Sequence, residues 1–250
     1  MLKTRLMPTL LYKDTTLVKG IGFDSWRRVG SVMQSVKVYN LRQVDELVFM
    51  DITATRDGRE PDFGLVDEFA DECFMPLTVG GGIKTVDHVS RLLAVGADKV
   101  SIGTAATENP DLVTKIADKF GSQCVVVSID YSESDRKTVR THSGAVGTER
   151  DPVELSKEME ERGAGEILLT CIERDGAMNG YDVEMIAAVS SAVRIPVIAS
   201  GGAGNPQHML DAIVNGQASA VAAASVFHFT ELTPREAKQY LREHGIPMRP

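Results

Sequence analysis

The chain has 250 residues, of which 43% are hydrophobic, and a formal net charge of −8. It contains no run of about 18 apolar residues, and its charged start, Lys3-Thr4-Arg5, leads into no apolar signal core, so we expect a cytoplasmic protein without a membrane span. The acidic balance argues against a broad nucleic-acid surface but allows local basic patches for phosphates.

Segments of strand and helix character alternate along the chain, with no linker or low-complexity stretch between them. Apolar runs of strand length occur at residues 6–11, 47–52, 75–79, 99–102, 124–129, 166–171, 196–199 and 218–223. Segments with apolar residues spaced three to four positions apart predict helices at residues 33–41, 65–73, 86–95, 110–120, 152–162, 183–193, 206–214 and 234–244.

Eight β-α units in strict alternation favour parallel strands joined by right-handed crossovers, and they close most simply into a single (β/α)8 TIM barrel. The length agrees, because such a barrel typically takes about 250 residues. A doubly wound open sheet is the alternative, but its usual Gly-x-Gly-x-x-Gly turn is missing after the first predicted strand. We therefore predict one barrel domain over residues 1–250.

The sequence also repeats itself at an offset of 120 residues. Residues 78–83 align with residues 198–203, and His88 falls on His208 in the same register. Such a repeat predicts that the barrel consists of two half-barrels, about 1–120 and 121–250.

Each half carries a Gly pair after a predicted strand, Gly81-Gly82 in the first and Gly201-Gly202 in the second. Further small residues, Gly103-Thr104 and Ala224-Ser225, follow the next strand in each half. Small residues let backbone NH groups and a helix N-terminus approach an anion, and barrel active sites lie where strands end. A single Gly pair would more simply end a strand, but its repetition predicts two phosphate sites and an elongated ligand with phosphate at both ends.

Two long polar connections, 12–30 and 131–151, follow the first and fifth predicted strands. We expect them to be loops that cover the active site. The three cysteines, Cys73, Cys124 and Cys171, lie far apart and lack metal-ligand spacing, so we expect buried reduced thiols, no metal and no cofactor.

Several stretches spread over both halves form a recognisable set, namely residues 45–54, 79–83, 96–102, 120–123, 165–170 and 200–204. With them the chain resembles, over essentially its whole length, the cyclase subunit of imidazole glycerol phosphate synthase. The resemblance implies an enzyme that takes ammonia from a glutaminase partner, passes it up the barrel axis and uses it to split and cyclise a substrate with phosphate at both ends. It also adds Asp175 and Gly176 to the second phosphate site.

In the family that this chain resembles, four charged residues at the strand starts gate ammonia. The chain matches all four, with Arg5, Glu46, Lys99 and Glu166. Opposite charges can line an axial constriction while neutralising one another, although a salt-bridge cluster that plugs the barrel floor is the alternative. Asp98 matches a partner-contacting position, which implies a glutaminase subunit docked on the N-terminal face of the barrel.

The same family uses two aspartates, at the ends of the first and fifth strands, as general acid and general base. Asp130 matches the second, but Leu11 occupies the position of the first. A leucine exchanges no proton, and the loss of one such partner typically removes a factor of about 10² to 10⁴ in rate. Asp14 is a candidate substitute, although Lys13-Asp14 also reads as the start of the covering loop. Gly103 departs as well, since the family usually has an asparagine there.

The chain keeps the four charged residues of the ammonia entrance but has Leu11 and Gly103 in the reaction chamber. In this combination it resembles the paralogous branch of the family found with surface-polysaccharide, or lipopolysaccharide, genes. In that branch the barrel and its glutaminase supply ammonia to a separate ATP-dependent enzyme that amidinates a sugar. We therefore expect an ammonia-delivering barrel subunit with that enzyme as a third partner and a phosphorylated small molecule as ligand. The alternatives are an active cyclase of histidine biosynthesis, which Leu11 disfavours, and a sugar-phosphate isomerase, which would not need the charged ring.

Overall fold

The computed structural model describes residues 3–135 and 137–249. Its strands are β1 (Arg5–Lys13), β2 (Thr16–Ile21), β3 (Asp24–Gly30), β4 (Leu47–Asp51), β5 (Leu77–Gly80), β6 (Lys99–Ile102), β7 (Val125–Ser132), β8 (Thr138–Thr141), β9 (Val146–Gly147), β10 (Glu166–Cys171), β11 (Val197–Ser200) and β12 (Ala220–Ala223). The helices are α1 (Val32–Leu41), α2 (Phe63–Ala70), α3 (Val86–Ala94), α4 (Thr104–Glu108), α5 (Asp111–Phe120), α6 (Pro152–Glu161), α7 (Val183–Ala192), α8 (Pro206–Val214), α9 (Ser225–Phe229) and α10 (Pro234–Glu243). A 3₁₀ turn, Ser122–Cys124, precedes β7.

Eight of these strands form a closed parallel barrel in the order β1, β4, β5, β6, β7, β10, β11, β12. The last strand returns to the first, with Arg5 opposite Ala220. The predicted (β/α)8 TIM barrel is therefore confirmed, and the open sheet is excluded because it would leave two strand edges unpaired. All eight predicted strands and all eight predicted helices are found within a few residues of their expected bounds.

The long connections that follow β1 and β7, which we expected to be loops, form antiparallel hairpins. β2 pairs with β1, with Leu11 opposite Val18, and β8 pairs with β7, with Asp130 opposite Arg140. These hairpins were hard to predict, because most residues of β3 are exposed and its sequence contains no apolar run. The strands from which the hairpins extend, β1 and β7, lie opposite each other in the barrel order.

The repeat in the sequence reappears in the hydrogen bonds that begin α3 and α8. The side chain of Thr85 accepts a hydrogen bond from the backbone N of His88, at 3.1 Å, and that of Asn205 accepts one from His208, at 3.0 Å. Each imidazole Nδ1 in turn accepts from the backbone one residue before the cap, Lys84 or Gly204. The aligned histidines thus stabilise the same strand-to-helix turn in both halves.

Apolar side chains pack on both sides of the barrel wall. Strand residues such as Leu6 and Leu10 belong to the outer core between strands and helices, and both are fully buried. A second, smaller cluster fills the barrel interior and contains Met7, Val48, Val126, Leu168, Ile198, Ala220 and Ala222. Among the residues that the structure describes, no helix is both long and apolar enough to cross a membrane.

The cysteines are unpaired, as expected, and their surroundings keep them protonated. Cys124 and Cys171 are buried, whereas Cys73 is half-buried. Burial raises the pKa of Cys73 and of Cys171 to about 11, which disfavours the reactive thiolate at neutral pH.

Candidate functional site

A cavity of about 480 Å³ opens at the C-terminal ends of the barrel strands. It collects residues that are far apart in the sequence, including both halves of the repeat. The predicted phosphate-site residues all line it, namely Gly81, Gly82, Gly103, Thr104, Asp175, Gly176, Gly201, Gly202, Ala224 and Ser225.

The Gly pairs meet a steric requirement of the mouth. Gly81 and Gly202 have φ values of +105° and +119°, which L side chains rarely adopt. A Cβ on Gly81 would lie 2.2 Å from the carbonyl oxygen of Asp51, and one on Gly202 would lie 2.2 Å from that of Gly180. Only glycine therefore lets the backbone turn so closely against its neighbour at both places.

Ser225 supplies a polar group that the protein itself does not satisfy. It begins α9 directly after β12, as Thr104 begins α4 after β6. Its residue is 4% exposed, and its hydroxyl has no hydrogen-bond partner among the described residues. Buried polar groups usually have partners, so an unpaired hydroxyl at the wall of a cavity suits a polar ligand.

Asp130 stands at the end of β7 and lines the cavity. Burial and, after it, the charge of Asp175 raise the pKa of its carboxyl to about 7, although hydrogen bonds from Thr170 and Ser128 partly oppose the shift. A carboxyl that titrates near neutrality can both give and take a proton at physiological pH.

Leu11 also lines the cavity, from the end of β1. At this position the cavity wall is therefore apolar and offers no group that exchanges a proton. Asp14, the candidate substitute, lies in the β1–β2 turn with φ +56°, pairs with Lys13 at 3.1 Å and has a side chain that is 72% exposed. It is not among the lining residues, so its carboxylate does not replace the missing acid in this conformation.

Lys19 is a lining residue that the sequence did not reveal. It belongs to β2, is 2% exposed and forms an ion pair with Asp175 across the mouth. The pair joins the first hairpin to the second predicted phosphate site. Only the hairpin pairing brings this lysine back over β1, and β3 has no apolar run from which that hairpin could be inferred.

At the opposite, N-terminal end of the barrel, the four predicted gate residues form a closed ring of alternating charge. Arg5 contacts Glu46 at 2.8 Å and Glu166 at 3.0 Å, and Lys99 contacts the same two carboxylates at 2.9 and 2.8 Å. Thr78 donates a further hydrogen bond to Glu46, at 2.8 Å. Burial alone would lower the pKa of Arg5, but the two glutamates raise it above its usual value, so Arg5 stays charged.

Asp98 lies just outside this ring, directly before β6. Its residue is exposed, while its Oδ2 accepts a hydrogen bond from the backbone N of Leu77, at 2.8 Å. The side chain is thus held in place at the N-terminal surface, where a docked protein could reach it.

Comparison with known proteins agrees with this arrangement. A family model described as "Histidine biosynthesis protein" matches residues 5–233. The chain is 49% identical over 252 aligned residues to the imidazole glycerol phosphate synthase subunit HisF of Caulobacter vibrioides, covering 100% of this chain and 97% of that protein. It is 48% identical over 250 residues to the subunit of the same name from Chlorobium limicola, covering 100% of both.

Proposed function

This chain belongs to the HisF-like family of barrel subunits of imidazole glycerol phosphate synthase, and we propose that it delivers ammonia from a glutaminase partner to a separate acceptor enzyme. The observation that carries the proposal is Leu11, which lines the cavity where the family reaction needs a proton-exchanging group. The acceptor is an ATP-dependent amidotransferase that amidinates a surface-polysaccharide sugar in the cytoplasm.

The route for ammonia begins at the charged ring. Above the ring, the interior cluster that includes Met7, Val48 and Val126 separates the N-terminal entrance from the cavity. Neutral ammonia crosses an apolar layer more readily than ammonium does, because the ion must first lose its hydration. Ring and apolar layer together would admit ammonia and hold back cations.

The N-terminal face offers a surface for the glutaminase. Besides Asp98, it exposes Leu41, the last residue of α1, and Phe74, in the connection between α2 and β5; they are 85% and 83% exposed. Asn40 holds the second connection, because its Oδ1 accepts from the backbone N of Phe74 at 3.1 Å. Large apolar side chains held in place at a surface are typical of protein interfaces.

The C-terminal mouth keeps the features of a phosphate-binding chamber and one of its two acid-base groups. The Gly pairs and the unpaired hydroxyl of Ser225 support binding of a phosphorylated small molecule at two points. Asp130 is suitably placed for proton transfer, but Leu11 leaves it without an opposing partner. The mouth would then serve chiefly as an exit for ammonia.

The second candidate function is an active cyclase of histidine biosynthesis. The names of the relatives favour it, since both proteins are called subunits of imidazole glycerol phosphate synthase. The pKa of Asp130, raised to about 7, also suits a group that works as acid and base in turn.

A cyclase assay separates the two functions. We expect purified protein, given the bisphosphorylated ribonucleotide substrate and ammonium salt, to form imidazole product at least about 10² times more slowly than a HisF relative measured alongside. Leu11→Asp should raise this rate, and Leu11→Asn, which matches the size of aspartate without its proton chemistry, should not. Turnover of the unaltered chain at the relative's rate would overturn the delivery proposal in favour of the cyclase.

A further inference from the structure

In the turn between β10 and α7, some residues line the cavity and their neighbours in the sequence do not. Asp175 and Gly176 line the cavity, whereas Glu173 and Arg174 are not among its lining residues. Both of these charged side chains are engaged behind the turn, in hydrogen bonds to other parts of the chain.

Glu173 fixes the start of the second hairpin. Its carboxylate accepts hydrogen bonds from the hydroxyls of Ser132 and Ser134, at 2.5 and 2.8 Å, and from the backbone N of Glu133 at 2.8 Å. Burial alone would raise the pKa of Glu173, but these hydrogen bonds outweigh it and lower the pKa to about 2. The carboxylate is therefore a permanent charge that ties the end of β7 to the turn.

Arg174 joins three segments. Its Nε and Nη2 donate to the two carboxylate oxygens of Glu133, at 3.0 and 2.7 Å, in a two-pronged pair. Its Nη1 donates to the carbonyl oxygens of Tyr181, at 3.1 Å, and Gly180, at 3.4 Å. Gly180 in turn donates its backbone N–H to the carbonyl of Gly202, at 2.8 Å. Arg174 is thus connected to the second Gly pair through the backbone of Gly180.

On the cavity side of the same turn, Asp175 and Gly176 contact the first hairpin. The backbone N of Gly22 donates to the carbonyl of Asp175 at 2.8 Å, and Lys19 pairs with the Asp175 carboxylate. A Cβ on Gly176 would lie 2.0 Å from the carbonyl oxygen of Gly20, so the turn and the first hairpin fit without spare room. A small shift of the turn would therefore move both the hairpin and the wall of the chamber.

We infer that Arg174 is a positioning residue for the second phosphate subsite, holding Gly202 and the Asp175-Gly176 turn in a binding geometry through Glu133 and the Gly180–Tyr181 backbone. This inference rests on the proposed phosphate-binding function of the mouth. It assigns a role to a residue that touches no ligand itself. Among the described residues, the hydrogen bonds of Arg174 go to Glu133, Gly180 and Tyr181 and not to the first subsite at Gly82 and Thr104, which serves as an internal reference.

The test is a titration of ¹⁵N-labelled protein with inorganic phosphate, followed by the amide signals of Gly202 and Ser225 for the second subsite and of Gly82 and Thr104 for the first. Arg174→Lys keeps the charge and loses the two-pronged geometry. We expect the phosphate Kd at the second subsite to rise about tenfold, as for the loss of one charge-assisted hydrogen bond, and the first-subsite Kd to stay unchanged. Arg162→Lys, which alters an ion pair with Asp111 on the outside of the barrel, is the matched control and should change neither.

Equal weakening at both subsites would show a general structural role and overturn the inference, as would unchanged binding at both. If the unaltered protein shows no phosphate-dependent shift at either Gly pair, the phosphate-binding proposal itself fails and takes the inference with it. Should Arg174→Lys not fold, Glu133→Gln weakens the same pair from the other side and is expected to give the same selective loss. Unchanged second-subsite binding in Glu133→Gln would then overturn the inference.

Discussion

Replacing Asp130 with asparagine should stabilise the protein at pH 8 and lose that advantage as the pH falls. The carboxyl lines the cavity at the end of β7, where burial and then the charge of Asp175 raise its pKa from 3.8 to about 7. Asparagine has nearly the same shape but carries no charge at any pH. The substitution therefore isolates the free energy of holding a carboxylate at this position.

The sign follows from proton binding. Between pH 3.8 and about 7 the folded protein keeps the Asp130 proton while the unfolded chain has lost it, so raising the pH destabilises the fold. A pKa raised from 3.8 to about 7 corresponds to at most ~4 kcal/mol at ~1.4 kcal/mol per pH unit. Because Asp130 is half-buried beside an open cavity, solvent reduces the effect, and we expect roughly 2 kcal/mol.

The assay is urea unfolding of the unaltered protein and of Asp130→Asn at intervals from pH 5 to pH 8. The difference in unfolding free energy between the two cancels the titration of every other group that they share. We expect the advantage of the variant to grow by about 1–2 kcal/mol over this range. Asp118→Asn, the same change at an exposed carboxylate on α5, is the control and should give a nearly constant difference. A difference for Asp130→Asn that does not change with pH would refute the raised pKa.

Two further predictions concern the opposite end of the barrel. Lys99→Met leaves Arg5 as the one cation paired with Glu46 and Glu166 among the described residues, so we expect a loss of about 3–5 kcal/mol in unfolding free energy. In the assembled complex, we expect glutamine-dependent amidation to slow more than ammonium-dependent amidation. Equal slowing with both nitrogen sources would contradict a gate. Phe74→Ser removes an exposed aromatic ring and should weaken glutaminase binding about 30-fold in calorimetry without lowering the melting temperature, and unchanged affinity would place the interface elsewhere.

The barrel could be predicted because its signals are local. Each strand is a short apolar run and each main helix an apolar stripe, and strict alternation leaves few ways to connect them. The Gly pairs were predictable too, since close backbone approach at the mouth admits no side chain at Gly81 or Gly202. A single Gly pair could simply end a strand, but the repetition of the pair at a fixed offset predicts a phosphate site in each half.

The site features that could not be predicted from the sequence depend on contacts between segments that are far apart in the chain. Lys19 reaches the chamber only because β2 folds back on β1, and β3 shows no apolar pattern that would announce the hairpin. Arg174 acts through Glu133 and two backbone carbonyls, none of which is identifiable from spacing. Asp14 lies close to Leu11 in the sequence, yet the turn directs its carboxylate to solvent.

The two ends of the barrel differ in how freely a residue can be replaced, and this affects what each end reveals about function. Removing one member of the ring leaves a buried charge unpaired, which is costly, so its four residues would persist even in a protein that transferred no ammonia. Leu11 lines the cavity and belongs to neither apolar core cluster, so a change of its side chain disturbs core packing little. The intact ring is therefore weaker evidence for ammonia transfer than Leu11 is for an altered reaction. A comparison of glutamine with ammonium as nitrogen source distinguishes a ring that controls ammonia entry from one that only stabilises the barrel.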